Sequence, residues 1–490
     1  MTFASLRRAA ALGTACATCA VAAPAQADTL REALVHAYNT NPTLQGARAN
    51  QRATDEEVPI NRAQGLPSVD VVANHIEFLK VSPNSFTAPA RRLQIGPDLA
   101  VPIYSGGAVK NAIRGAKERV SAGRADLRAT ESAIFSRTVA AYMDVLRTEA
   151  LASLAANQVE VLRVNLEATS DRFEIGDLTR TDVAQSQSRL AVAEGDLQTA
   201  YGNLIAARET YLQLVGKAPT DLEAPPPLPG LPATVGMAEV AALENNPDLI
   251  AAKERADAAR FDTKAAGAGR LPTVSGFANY DYTDYFGTLG GPISSDFTQS
   301  ETTANVGVQI NIPIFQGGLT AARQRQAGAR ETAALEQVIA TERDVIAQTR
   351  SAYSSWQAAN AVIESSKSAV EAAEVSLEGV RAENSIGNRT ILDVLNAEQE
   401  LLQARAQLVT ARRNAYVAGF TLLAAMGRAE ARDLNLDTGG PLYDPQVNYD
   451  RVRGRLWDWD RDPAPAANST RTVDIPAADA TIGPQLEPGE

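Results

Sequence analysis

Cysteine is nearly absent. Cys16 and Cys19 are the only two, and both fall within the first 27 residues. Histidine is equally scarce, with His36 and His75 alone. That leaves no Cys/His set for a metal and no histidine-based acid and base pair. No phosphate-binding loop is written either, so an enzyme reading has no support. His36 is expected to pack on a short helix and His75 to sit on a strand. Aromatic residues make up only 5% of the chain, so Ala, Leu and Val must supply most of the packing. Such a composition favours long helices in close contact over a core built on large rings. Beyond the N-terminus no run of about 18 apolar residues occurs, which excludes a membrane-spanning helix. If this chain crosses a membrane, it does so with strands.

What is present begins with a secretory leader. Arg7 and Arg8 precede an apolar run over 9–23, and Ala25, Gln26 and Ala27 form a small-x-small cleavage site. The mature chain then starts at Asp28. Both cysteines leave with the leader, and neither has the Leu three residues before it that a lipoprotein site wants. At 490 residues, two to four domains are expected from length alone. Without the two leader arginines, 44 basic residues face 58 acidic ones, a net charge of −14. An acidic chain is a poor nucleic-acid partner. Its charge suits either a water-filled path or a soluble periplasmic surface.

The chain is one unit written twice. "NPTL" at Asn41 recurs as "NPDL" at Asn246, and "GLPSV" at Gly65 as "RLPTV" at Arg270, both with a shift of 205. "VPIYSGG" at Val101 recurs as "IPIFQGG" at Ile312 with a shift of 211, which persists through Gly176/Gly387, Asp182/Asp393 and Gly216/Gly427. The six extra residues fall between Val274 and Ile312. Each unit has the order short helix, medium helix, two strands, very long helix, Gly turn, long helix.

The strands announce themselves by period. Leu93, Ile95, Leu99, Val101 and Ile103 hold alternate positions, as do Val306, Val308, Ile310, Ile312 and Ile314 in the second unit. Their partners are expected over 68–81 and 273–286. One apolar and one polar face fit a soluble sandwich or a membrane barrel. Four strands cannot close a barrel, and open edges are not tolerated in lipid. Several copies must therefore share one barrel, or the strands are not in a membrane.

The helices set the length. The stretch 107–173 spans roughly 100 Å at about 1.5 Å per residue, while the return over 179–215 covers roughly 55 Å and the medium helix over 42–64 about 35 Å. Two shorter helices stacked end to end would nearly match the long one. Within the second return helix the repeat is seven: Val394, Leu401, Leu408, Ala415 and Leu422 form one column, and Ala397, Ala404, Ala411, Ala418 and Ala425 another. A strict seven imposes left-handed supercoiling, and the alanine column allows close backbones. This fits an antiparallel hairpin in solvent or a closed ring of helices.

At the far end of the rod, "FEIGDLTRTD" and "NSIGNRTILD" interrupt the helices. Gly176 and Gly387 can take positive φ there, and Thr179 and Thr390 can cap the next helix with Asp182 and Asp393 three residues on. Capping alone explains these residues. In a ring of copies they would also surround the narrowest part of a hole.

In this order and twice over, the "NPxL", "LPxV", "PIYSGG"/"PIFQGG" and IG-turn motifs make the mature chain, apart from its tail, resemble the TolC family of outer-membrane efflux and secretion channels. The resemblance implies a mainly helical α+β fold: four strands per protomer, 12 in a homotrimeric outer-membrane β-barrel, continuous with an α-helical coiled-coil tunnel. It also implies a periplasmic adaptor and an inner-membrane pump as partners, outer-membrane lipid around the barrel, and no cofactor. Carried over by position, Asp393 matches an entrance aspartate and Arg389 a locking arginine, with Asp182 and Thr181 its partner region. Asn384 stands where the family has a locking tyrosine, and Asn396 where it has a second entrance aspartate. One ring of charge is then expected, with a latch resting on Arg389 and Asp182. The turn residues Ile175, Gly176, Asp177, Ile386, Gly387 and Asn388 are the expected adaptor contacts.

A periplasmic adaptor or a structural coiled-coil protein is the competing reading. The first would carry one hairpin flanked by β domains, and the second has no use for alternating strands beside Gly-Gly. The expected organisation is a signal peptide (1–27), a first repeat (28–223), a Pro-rich linker (224–235), a second repeat (236–435) and a disordered Pro-rich tail (436–490), with Trp457 and Trp459 docked on the middle of the helical body.

Overall fold

The computed structural model describes residues 28–80, 88–439 and 441–482. The expected signal peptide and the outermost part of the first strand hairpin lie outside them. The elements follow the duplicated order. The first unit is α1 (Leu30–Thr40), α2 (Pro42–Asp55), α3 (Glu57–Ala63), β1 (Ser68–Glu77), β2 (Arg91–Tyr104), α4 (Ala108–Glu174) and α5 (Arg180–Val215). The second is α6 (Val235–Asn245), α7 (Pro247–Gly267), β3 (Thr273–Asp284), β4 (Ser300–Asn311), α8 (Leu319–Ser385) and α9 (Ile391–Ala425), followed by α10 (Pro445–Val452). Both α4 and α8 have 67 residues, about 100 Å of rod. Among the described residues no helix is long and apolar enough to cross a membrane.

The medium helix of the first unit is broken in two, and Pro59 is the reason. It has no N–H for the Asp55 carbonyl and its ring crowds that oxygen, so α2 stops at Asp55 and α3 restarts at Glu57. The equivalent position in the second unit is Lys264, and α7 runs unbroken to Gly267.

The "NPxL" asparagines join helices end to end. Asn41 Oδ1 caps α2 by accepting from the Thr43 and Leu44 amides, while its Nδ2 donates to the Leu214 carbonyl near the end of α5. Asn246 repeats this, accepting from Asp248 and Leu249 and donating to Ala425 of α9. Two unsatisfied helix ends are thereby served by one side chain. Around this level sits the largest core, where Leu34 and Tyr38 of α1 meet Phe135, Val139 and Tyr142 of α4, Tyr211 of α5 and Phe420 of α9. The Pro-rich linker lies over the same level. Its donor-poor backbone offers carbonyls, and tyrosine hydroxyls supply the donors: Tyr416 to Pro226 and Tyr353 to Ala233, with Tyr142 to Glu223 just before it.

The four strands form one antiparallel sheet in the order β1-β2-β3-β4, so β2 and β3 are the seam between the two repeats. β4 ends at Asn311, earlier than the alternation predicts. Pro313 cannot donate, and β4 has a neighbour on one side only, so Ile312 and Ile314 leave the ladder and stand exposed.

Where it is described, the tail departs from the disorder expected over 436–490, whose last eight residues lie outside the described residues. Leu436 is buried in the main core, and α10 lies along α2 with Val452 and Asn448 buried. Polar and Pro-rich composition hid a few well-spaced anchors. Trp457 and Trp459 do not dock on the helical body; both are about three-quarters exposed, at 74% and 75%.

Candidate functional site

Two places in this fold have the character of a conduit: the sheet and the far tips of the hairpins. In the sheet, directly paired residues share a face, so the strand register sorts the side chains. One row runs Val69, Leu99, Ala278, Val306 across all four strands, and the next row, on the opposite face, runs Asp70, Asp98, Asn279, Asn305. The apolar row is exposed at its ends, with Val69 at 68% and Val306 at 87%. Asp70 and Asp98 are direct cross-strand neighbours, a like-charge pairing that is tolerable only against water. Among the described residues the sheet therefore has a polar face, an exposed apolar face and two edge strands, β1 and β4, paired on one side only.

At the tips the sequence dictates each turn closely. After α4 the Gly176 amide bonds the Phe173 carbonyl (3.0 Å) and the Asp177 amide bonds Arg172 (2.8 Å). After α8 Gly387 bonds Asn384 (3.0 Å) and Asn388 bonds Glu383 (2.9 Å). This paired closure needs a left-handed residue, and φ is +84° at Gly176 and +80° at Gly387. The next helix starts in a reciprocal cap. Thr179 N–H donates to Asp182 Oδ2 (2.9 Å) while Thr179 Oγ1 accepts from the Asp182 amide, and Thr390 with Asp393 does the same at 3.0 Å. The threonine hydroxyl also donates to the carboxylate, at 2.7 Å in the first tip and 2.8 Å in the second. These bonds hold both Asp182 and Asp393 below the ordinary aspartate value, with Arg389 adding a smaller pull on Asp393. Both therefore carry charge at any pH where an ordinary carboxylate does.

Within one chain Arg389 Nε bonds Glu383 Oε2 (2.7 Å) across its own turn, and Asp182 is engaged by Thr179. The first tip has the same brace with signs reversed, Arg172 to Asp177 at 2.8 Å. Asn384, in the place of the locking tyrosine, donates to the Arg389 carbonyl (2.8 Å) and so tightens the turn. Thr181 is exposed. Ile175 and Ile386 crown the two tips, at 82% and 71% exposed.

The contacts that tie the hairpins together within the chain involve Asn396 and residues that carry no motif in the sequence, Arg189, Asn165, Arg381 and Glu398. Arg189 Nη2 of α5 donates to Asn396 Oδ1 of α9 (3.0 Å). Glu398 of α9 is only 3% exposed, and it accepts from Asn165 of α4 and Arg381 of α8, each at 3.0 Å. One buried carboxylate thus spans three helices. A signal was available: Glu398 interrupts the apolar stripe between Ala397 and Leu401, where a charge needs a partner.

Comparisons with known proteins agree with this geometry. The family model described as outer membrane efflux protein matches residues 33–217 and 240–428. The chain is 32% identical to the outer membrane efflux protein BepC of Brucella suis over 431 residues, covering 88% of this chain and 92% of that protein. It is 27% identical to the outer membrane protein TolC of Escherichia coli, covering 84% of each. Among solved structures it is similar to the CmeC outer membrane channel of Campylobacter jejuni, with a TM-score of 0.72 at 16% identity, over 88% of this chain and 90% of that one.

Proposed function

Because the chain belongs to the outer membrane efflux protein family, we propose that three copies pool their sheets into one 12-stranded barrel whose bore continues through a tunnel of helices. The protein is an outer membrane channel-tunnel for efflux or type I secretion, with its sheet in the membrane and its helical rod in the periplasm. One observation supports the shared barrel above others: a four-stranded sheet with an apolar face, an aspartate-bearing face and two open edges cannot satisfy itself in lipid. The family sets aside the adaptor and the structural coiled coil.

In this reading residues 28–223 and 236–435 are the two repeats, joined by the linker over 224–235. Asp393 and Asn396 line the periplasmic entrance. Arg389 and Asn384 with Asp182 and Thr181 form the gate latch, and cross-hairpin ties from Arg189 to Asn396 and from Glu398 to Asn165 and Arg381 brace the entrance within each copy. The exposed tips, with Ile175, Gly176, Asp177, Ile386, Gly387 and Asn388, meet a periplasmic adaptor coupled to an inner-membrane pump. The protein works as a conduit, without catalytic residues or cofactor.

Planar-bilayer recording tests the entrance. Asp393→Ala removes one carboxylate per copy from the ring and is expected to weaken block by multivalent cations by on the order of tenfold. Asp182→Ala removes the same kind of cap from the other tip and should leave block within about twofold, which separates ring charge from the loss of a cap, worth roughly 1 kcal/mol. Since Asp393 is held below the ordinary 3.8, block in the unaltered channel should persist as the pH is lowered to that value. Unchanged block in Asp393→Ala would place the entrance elsewhere.

A further inference from the structure

The C-terminal segment climbs beside the first repeat toward the sheet. The Tyr443 amide donates to Tyr38 Oη (2.9 Å), and its ring lies 5.0 Å from the Arg48 guanidinium. Asn448 Nδ2 donates to Asp55 Oδ2 (2.7 Å), Tyr449 packs with Val58, Ala116 and Val120, and the Arg453 carbonyl accepts from Arg62 Nη1 (2.9 Å). The partners Arg48, Asp55, Val58 and Arg62 advance steadily along α2 and α3 toward Ser68, where β1 begins. The chain then reverses. The Asp460 amide closes a turn on the Trp457 carbonyl (3.1 Å), and Asp462 is gripped by Arg451 (2.7 Å) and Arg455 (2.9 Å). By Asp479 and Thr481 the chain is bonded to Arg208 of α5, back on the helical rod. The apex, residues 456–459, thus follows directly on the tail's contact with Arg62, six residues before β1 begins at Ser68.

That apex displays apolar surface where a soluble protein would hide it. Leu456 is 63%, Trp457 74% and Trp459 75% exposed, on a turn fixed by ion pairs. Four arginines (451, 453, 455, 461) and four aspartates (450, 458, 460, 462) balance around it, so its exposed apolar surface is the part left without a partner. Indole combines a large apolar body with one N–H donor, so tryptophan favours the headgroup level of a bilayer.

We propose that residues 456–459 form an interfacial foot, with Trp457, Trp459 and Leu456 inserted among the headgroups of the periplasm-facing leaflet beside the barrel. This rests on the reading that the sheet crosses that membrane. The occupant is lipid because the apex sits at the end of the rod where the exposed apolar face of the sheet begins, and because it is fixed by the fold.

The test uses the full-length protein in nanodiscs of phosphatidylethanolamine and phosphatidylglycerol doped with lipids brominated near the headgroup or deep in the chain. The third tryptophan of the chain, Trp356, packs against Gly419 of α9 and serves as the internal reference. Shallow bromines should remove most of the emission contributed by Trp457 and Trp459, deep bromines much less, and W457F/W459F should show no quenching. No bromolipid quenching in a protein that still conducts would overturn the foot while leaving the channel reading intact. A protein that neither enters the nanodisc nor conducts would sink the membrane reading and the foot with it.

Discussion

Gly96→Val is expected to abolish assembly in the outer membrane. Gly96 lies in β2, paired with Val72 of β1 on one side and pressed against β3 on the other. A Cβ built there would stand 1.8 Å from the Tyr280 carbonyl oxygen and 3.0 Å from the Asp281 Cα. Both are backbone atoms and cannot rotate away, so any side chain must part β2 from β3. Those two strands are the seam that makes one sheet from two repeats. Losing the ladder there places the variant among exceptional substitutions, at about 4–5 kcal/mol or more. The heat-resistant oligomer in outer-membrane fractions should fall by about an order of magnitude or more, as a cost of that size allows. Gly379→Ala is the control, because its added methyl meets nothing within 4 Å, and removing a helix-interior glycine should stabilise by roughly 0.5–1 kcal/mol. Normal assembly of Gly96→Val would mean that the repeats do not share a closely paired seam.

Glu398→Ala should loosen the periplasmic entrance. Its buried carboxylate accepts from α4 and α8 at once, and bonds to a charged group are worth about 1.5–3 kcal/mol each. Arg381 is half-exposed and can turn to water, which puts the loss toward the lower end. Multiplied over the copies of a ring, the effect is expected to raise single-channel conductance or open probability. Glu398→Gln keeps the acceptor and shape without the charge and should fall between. Leu204→Ala separates gating from general weakening. It removes a fully buried side chain of α5, costing about 2–5 kcal/mol, and should lower thermal stability without altering conductance. Equal conductance in Glu398→Ala and the unaltered channel would show that the three-helix tie does not hold the entrance.

The larger features were legible because each follows from a period or a duplication. Alternation in Val306, Val308 and Ile310 specifies a two-faced strand, and the shift from 205 to 211 locates the longer hairpin of the second unit. The Gly176 and Gly387 turns and the Thr179 and Thr390 caps depend on bonds within a few residues, so local sequence determines them. Side-chain pairing between helices was not legible. Arg389 bonds Glu383 across its own turn because the turn already holds the two together, a pairing that the motif does not announce. Glu398 stood in plain view as a charge in an apolar stripe, yet its partners lie on helices 233 and 17 residues away. The tail misled for another reason: Pro-rich composition signals a segment that cannot build its own core, but α10 borrows the groove that α2 and α3 make with α4, where Tyr449 finds Val58 of α3 and Val120 of α4.

The central claim is that identical chains complete one another's sheet. The most direct measurement is the mass of the detergent-solubilised particle from outer-membrane fractions, taken by native mass spectrometry together with its conductance after reconstitution. Three copies per particle, with β4 of one cross-linkable to β1 of the next through cysteines placed at Val308 and Val71, is the predicted result. A conducting monomer, or a stable single chain soluble without detergent, would contradict it.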